Sequence, residues 1–407
     1  MFRIRTRTLL TGLLLLAVAP LAICGPNTLP PRTLRVALFP YVPDKVGFFA
    51  QVKNSFEHNH PDILLDIVDL SANYYDESSP GAITNTDADI LEVDSVFLED
   101  LVAAGRIQAL ASSVVPSAAL FAPVARGAMN VDGRTYSIPH WLCTNYLFIA
   151  RQDTLAKARS FDEIVNAIPE SHADDHGLLI DLEGKGTLGE LYLDALLDRD
   201  RTLEKASAHL TLSTYDNEVG RVLTDVRKMC DKTYCRSTQL SNDEDSYPRL
   251  FAHRHGRALI GYSERLYYIE RENRTACKKD ECLAGNTITA IAPPLARSGA
   301  RSFAWVDGFT VANSCTGQCL ADAEVFIREV ASADAVKSTL LPADGQVPRY
   351  LMPAMASLYT DPALLRAAPL YKDLYPVVKE ALAIRGLHLN SNLRDIGKKL
   401  DNDVLAD

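Results

Sequence analysis

The apolar pattern changes period several times along the chain. After a proline-containing spacer, "NTLPPRT", the run "LRVALFPYVP" sets Leu34, Val36 and Leu38 at period two, and Pro40 ends it, so a first strand is expected. "KVGFFAQVKNSFEHNHP" follows with Val46, Phe49, Val52 and Phe56 at helical spacing and stops at Pro61. "DILLDIVDL" returns to strand character. A β-α-β opening favours a parallel sheet.

The alternation then repeats. "DILEVD" reads as a short strand, and "SVFLEDLVAAG" as a helix with Ser95 as its N-cap and Gly105 just past its end. Asp94 therefore falls at a strand's C-terminal end beside a helix N-terminus, where ligands bind in open α/β sheets. It is equally well a plain helix-capping aspartate. "GRTYSIPHW" and "CTNYLFIARQDTL" give a turn, a strand and a helix start, and residues 153–240 read mainly as helix. The glycines of "EGKGTLGE" lack the GK[ST] of a phosphate loop. "GRALIGYSERLYYI" is a strand turning into a helix, and "TITAIAPPL" and "RSFAWVDGFTVAN" are strands. Amphipathic helices follow in "CLADAEVFIREVAS", "PALLRAAPLYKDLYPVVKEALA" and "SNLRDIGKKLDNDVL".

The first residues change the picture. Arg3, Arg5 and Arg7 precede an apolar run from Leu9 to Ala19, and "PLAICG" follows, which is the layout of a secretory signal peptide over residues 1–24. The run is short for a span of ~20 residues. Export is expected, secreted or periplasmic. Acylation at Cys24 is the alternative, which Ile23 fits poorly. At ~100–200 residues per domain, 407 residues suggest two domains. The formal charge of −10 argues against nucleic acid or an anionic membrane as partner and has the right sign for a small cation.

Export also sets how eight cysteines are read. In an oxidising compartment, close pairs are usually disulfides. Cys230 and Cys235 flank "DKTY", Cys277 and Cys282 flank "KKDE", and Cys315 and Cys319 flank "TGQ". Zinc is the rival reading for such pairs. With Cys24 in the signal exit, Cys143 is the odd thiol, either a small core residue or a residue in use. Nine histidines are scattered; "HNH" at 58–60 and "HRH" at 253–255 have the wrong phase for two metal ligands on one helix face, and no HExxH or G-x-S-x-G occurs. No metal is expected. A thiol with pKa ~8.5 is mostly protonated at pH 7 and needs a base to act as a nucleophile. His140 lies three residues from Cys143, which in a regular strand puts it on the opposite face. A distant carboxylate would serve.

Six strings in one order, "LRVALFPYVPD", "IVDLSANYYD", "ADILEVDSVFLEDLVAAGRIQ", "IPHWLCTNYLF", "GYSERLYYI" and "WVDGFTVAN", resemble thiaminase I, also called thiamine pyridinylase. The resemblance runs through most of residues 34–360. It implies the two-lobed α/β fold of group II periplasmic solute-binding proteins, each lobe a mixed sheet flanked by helices, with the ligand cleft between lobes. Lobe 1 is then expected over 33–147 plus 293–336, and lobe 2 over 148–292 plus 337–407, with crossings near 145–150 and 286–292.

The chemistry the resemblance implies is base exchange without a cofactor. By position, Cys143 matches the nucleophile that adds to C6 of the thiamine pyrimidine, and Glu264 in "GYSERL" the acid/base. Asp94 and Asp307 match the aspartates that hydrogen-bond the aminopyrimidine. Tyr41, Tyr75, Tyr247 and Tyr262 match tyrosines lining the cleft. Trp305 stands two residues before Asp307 where the family pattern has tyrosine. Thiamine is then the substrate, a small organic nucleophile the co-substrate, and a monomer is expected. The alternative is a non-catalytic receptor for thiamine or a related compound, which needs the aspartates but not the thiol.

Overall fold

The computed structural model describes residues 30–168, 177–210, 214–230, 232–278, 281–297, 299–342 and 345–405; the expected signal segment and Cys24 lie outside them. Two mixed sheets organise the chain. The larger contains β1 (Arg32–Ala37), β2 (Ile63–Ile67), β3 (Ile90–Asp94) and β4 (Ile107–Gln108) from the N-terminal part. β1 pairs in parallel with both β2 and β3, as the β-α-β opening requires. A small hairpin, β5 (Asn130–Val131) and β6 (Arg134–Thr135), precedes β7 (Ile138–Cys143). The second sheet has order β11-β8-β10-β9, from β8 (Tyr146–Ala150), β9 (Leu178–Leu179), β10 (Ala258–Gly261) and β11 (Ile288–Ile291). The chain then returns to the larger sheet as β12 (Phe303–Ala312), buried along its whole length between β3 and β7.

This is the two-lobed α/β architecture, and the crossings are short. β7 ends at Cys143 in one sheet, and β8 begins at Tyr146 in the other. Residues 145–150, expected as a crossing, are mostly strand β8; Thr144 and Asn145 make the step. The Thr144 hydroxyl donates to the Phe303 carbonyl oxygen at 2.6 Å, and Asn145 Nδ2 to Asp194 Oδ2 at 2.9 Å, which pins the step to β12 on one side and to the helix Lys185–Asp200 on the other. The return lies between Ile291 and Phe303.

The C-terminal segment differs from the assignment of 337–407 to lobe 2. β13 (Met352–Pro353) pairs with β7, and β14 (Leu382–Ala383) with β12, both in the larger sheet. The helix Leu389–Asp403 packs instead along the helix Lys185–Asp200, where Gly189 lets the two backbones approach: a Cβ there would lie 2.2 Å from the Leu393 carbonyl oxygen. The stretch 362–383 is not one helix but two, Pro362–Ala367 and Tyr371–Glu380, because Pro369 falls between them.

Local phase departs from expectation in two places. The helix Lys45–Asn59 buries Phe48, Val52 and Phe56 at i, i+4, i+8, while Val46 is 79% exposed. The N-cap of the helix Ser95–Ala103 is Asp94, whose Oδ1 accepts from Val96 N at 2.9 Å; Ser95 is already helical, and its hydroxyl accepts from Val306 N at 3.1 Å. Gly105, past the helix end, has φ 63°, as a left-handed terminator should. Among the described residues no helix is long and apolar enough to cross a membrane.

Candidate active site

Strand register brings the central carboxylates together. β12 runs antiparallel to β3 on one side and β7 on the other, so Asp307 stands opposite Asp94 and Trp141, and Trp305 stands opposite Cys143. Residues two apart share a face, so Trp305, Asp307, Asp94 and Cys143 project together. The Cys143 thiol donates to Asp307 Oδ2 at 3.7 Å. Cys143 is half-buried at the last position before the chain changes sheets. Among the described residues it is the free cysteine.

The second sheet supplies the other wall. β10 ends at Gly261, and Tyr262 and Glu264 lie in the turn before the helix Arg265–Thr275. The half-buried Glu264 makes no capping hydrogen bond. Tyr262 donates its hydroxyl to Glu190 Oε2 on the helix Lys185–Asp200. The charges of Glu264 and Glu190 reach Cys143, as do those of Asp307 and Asp94. The thiol is thus where acidic groups from both sheets converge.

This convergence sets the ionisation. Burial first, then Asp307, Glu264, Asp94 and Glu190, push the Cys143 thiol well above its usual range. Burial raises Glu264 to about 7, against an opposing pull from Arg265. Asp94 is raised by burial to about 6, held down in part by Val96 N–H, Tyr75 and Ser95. Asp307, 1% exposed and with Oδ1 unpartnered, is raised well above the carboxylate range by burial and then by Asp94 and Glu92. A neutral thiol beside carboxylates that ionise near neutrality is an arrangement for moving a proton off sulfur when a substrate arrives.

Aromatic rings flank the acids. Tyr75 donates its hydroxyl to Asp94 Oδ2 at 2.8 Å and stacks on Tyr41 at 5.6 Å and 15°. Tyr41 donates to the Ser71 carbonyl oxygen at 3.1 Å. Tyr75 also stacks on Phe97. Trp305 is buried, with Phe303 edge-on at 4.9 Å. Tyr247 is different: its hydroxyl is spent on the Tyr234 carbonyl oxygen at 2.7 Å, and among the described residues no hydrogen bond joins it to the acidic cluster.

Two features were not read from sequence. Glu190 is one; its sole signal is a carboxylate at the end of "EGKGTLGE". The other is a bulge between Asp307 and Gly308 where β7 shifts register. A Cβ on Gly308 would fall 2.2 Å from Ser137 Oγ, so the close approach needs glycine. The bulge turns His140 onto the face of Glu92 and Asp94, contrary to strict alternation. Among the described residues no hydrogen bond joins His140 to Cys143: its Nδ1 is 2.6 Å from Glu92 Oε1, its Nε2 has no partner, and both side chains are fully buried.

The three close cysteine pairs are disulfides, Cys230–Cys235, Cys277–Cys282 and Cys315–Cys319, with Cα separations of 5.9, 5.9 and 5.3 Å. Their sulfurs are bonded to each other, which removes the thiolates the zinc alternative needs. His58, His253 and His255 are exposed, and the half-buried His60 pairs with Glu329.

Comparison with known proteins identifies the family and the fold. The thiaminase-1 domain model matches residues 144–276. Thiaminase-1 of Paenibacillus thiaminolyticus is 31% identical over 359 residues, covering 86% of this chain and 81% of that protein. The structure of Clostridium botulinum thiaminase I in complex with thiamin superposes with TM-score 0.78 at 22% identity, covering 92% of this chain and all of that one. The maltose-bound MalE3 of T. maritima shares the fold at TM-score 0.65 and 14% identity, covering 91% of this chain and 99% of that one.

Proposed function

The chain belongs to the thiaminase I family, an enzyme family of the transferase class, and on that premise we propose that it cleaves thiamine at the pyrimidine methylene through Cys143 and transfers the pyrimidine to an outside nucleophile. The observation that carries this reading is the thiol itself, set among Asp307, Asp94, Glu264 and Glu190 at the junction of the two sheets. A receptor has no use for a nucleophile there. The bound thiamin in the botulinum relative supports thiamine as substrate.

Asp94 and Asp307 accept the 4-amino protons and hold a proton at a ring nitrogen, which makes the pyrimidine an electron acceptor. Glu264 takes the thiol proton, and the sulfur electron pair forms a bond to C6. The ring's electrons then expel the thiazole, whose nitrogen keeps the pair from the broken C–N bond and leaves neutral. An external base such as an aromatic amine adds to the methylene and loses its proton. Expulsion of the sulfur restores the aromatic ring, and Glu264 returns the proton. Tyr41, backed by its stack on Tyr75, offers its other face to the pyrimidine, and Trp305 and Tyr262 close the wall beside the thiol.

The reading includes export directed by residues 1–24. Its test is mass spectrometry after incubation with thiamine and either pyridine or aniline. The expected product is the pyrimidine carrying the added base, with free thiazole. Thiamine recovered intact from a protein that binds it would overturn the enzyme reading in favour of the receptor.

A further inference from the structure

Glu190 takes no part in the proton transfers above, yet it belongs to the cluster. It projects from the helix Lys185–Asp200, its Oε2 accepts the Tyr262 hydroxyl, and its charge acts on Cys143. Asp94 acts on it in turn. The Trp305 indole nitrogen, 3% exposed, faces Glu190 outside hydrogen-bonding geometry and has no other partner.

The cluster as a whole lacks a counter-charge. Asp94 is met by a tyrosine hydroxyl and a backbone N–H, Asp307 by a thiol, and Glu190 by a tyrosine hydroxyl. Among the described residues no lysine or arginine hydrogen-bonds any of these three. Arg265 pulls on the fourth acid, Glu264. Sheltered carboxylates without a cation are costly unless one arrives with the ligand. Asp94 and Asp307 are needed by the pyrimidine, and Glu264 by the thiol. That leaves Glu190, with one tyrosine bond and half-buried, as the acid free to meet a positive ring.

We propose that Glu190 is the specificity-determining residue for the cationic ring of the substrate, favouring a thiazolium over an uncharged ring of the same shape. The proposal rests on the thiaminase reading. It carries a kinetic sign. When the C–N bond breaks, its electron pair neutralises the ring, so the attraction to Glu190 fades as the bond breaks. Glu190 therefore captures the substrate and lets the neutral product go, and its loss falls on KM rather than kcat.

The test is calorimetry at pH 8, where a group ionising near 7 is charged. It is run in a Cys143→Ser background so that thiamine is not consumed. The ligands are thiamine and 3-deazathiamin, whose sulfur ring has carbon in place of the charged nitrogen. Glu190→Gln should weaken thiamine roughly 10- to 100-fold, the range for a bond to a charged group. The same change should move 3-deazathiamin by less than about threefold. Tyr262→Phe, which keeps the charge and removes its hydroxyl partner, should retain the preference for thiamine. In the otherwise wild-type enzyme, Glu190→Gln should raise KM. Equal losses for both ligands, or a loss of preference in Tyr262→Phe, would overturn the proposal. Parent protein that binds neither ligand would instead overturn the thiaminase reading itself.

Discussion

Asp307 and Asp94 stand directly opposite each other on adjacent strands, both buried, and among the described residues no cation is bonded to either. Two carboxylates so placed cannot both ionise cheaply. The consequence for stability follows from proton counting. Asp94 ionises near 6, and Glu190, Glu264 and Asp198 near 7, all raised by burial, so the folded chain holds protons that the unfolded chain has released above about pH 4. These groups therefore make stability fall as pH rises from about 4 to about 7. Carboxylates held low by cations, such as Asp153 beside Arg257, act below that window. Asp307→Asn should raise the melting temperature of the ligand-free protein at pH 8, because burial and the facing Asp94 make ionised Asp307 costly. Below pH 4 the advantage should vanish. An equal gain at both pH values would show that the cost of ionising the buried Asp307 is not the cause.

Glu264 gives a prediction about rate. A base must be deprotonated to work, and Glu264 ionises at about 7. The rate constant kcat/KM should therefore rise with pH through about 7 and fall away below it. Glu264→Gln should lower the rate by roughly 10²–10⁴-fold and remove that limb of the profile. A retained acidic limb would move the base role to another carboxylate, with Asp307, which already receives the thiol hydrogen bond, next in line.

Part of this site was legible in the chain itself: Asp94 ends a strand and caps a helix, and Cys143 is the cysteine left over from the close pairs, at the end of a strand. Glu264, between a strand and a helix, and Asp307, inside β12, came only through the resemblance to thiaminase I. Nothing in their local pattern sets them apart from other carboxylates. Glu190 lies within a helix, where only the three-dimensional partner, Tyr262, distinguishes it from any solvated glutamate. The facing of His140 depended on a bulge made by a close strand approach at Gly308, which period-two reasoning cannot anticipate. Val46 and Phe48 show the same limit at a helix start: two apolar stripes fit, and tertiary packing chose the one through Phe48, Val52 and Phe56.

The cysteine chemistry is countable. Denatured, unreduced protein lacking residues 1–24 should titrate with one thiol, that of Cys143, since the other six are paired. Replacing the Cys277–Cys282 pair by serines should cost roughly 2 kcal/mol, because the loop it closes is short. Three or more thiols in the unreduced sample would refute the pairing.

The Glu92–His140 pair lies buried beside the site, on the face of Asp94. Glu92 Oε1 meets His140 Nδ1, and Oε2 accepts Phe39 N at 2.9 Å, all out of contact with solvent. Removing one partner of such a pair leaves the other unsatisfied. Glu92→Ala should therefore cost roughly 1–3 kcal/mol in urea unfolding, more than an exposed pair such as Lys278–Glu281. A loss under about 1 kcal/mol would mean the pair is not a closed internal contact.

Cys143→Ser separates catalysis from containment. Serine keeps the size of the side chain and can still donate to Asp307, but its hydroxyl is a far weaker nucleophile than a thiolate. Exchange should fall to background while thiamine still binds and the melting temperature stays close to that of the parent. Adding Glu264→Gln to Cys143→Ser should cost little more, because a base with no thiol to serve has lost its task. A small core cysteine would behave the other way, with turnover kept and stability lowered. Near-normal exchange by a folded Cys143→Ser protein would end the covalent mechanism, and the thiol's place among four carboxylates would then have to be explained by binding alone.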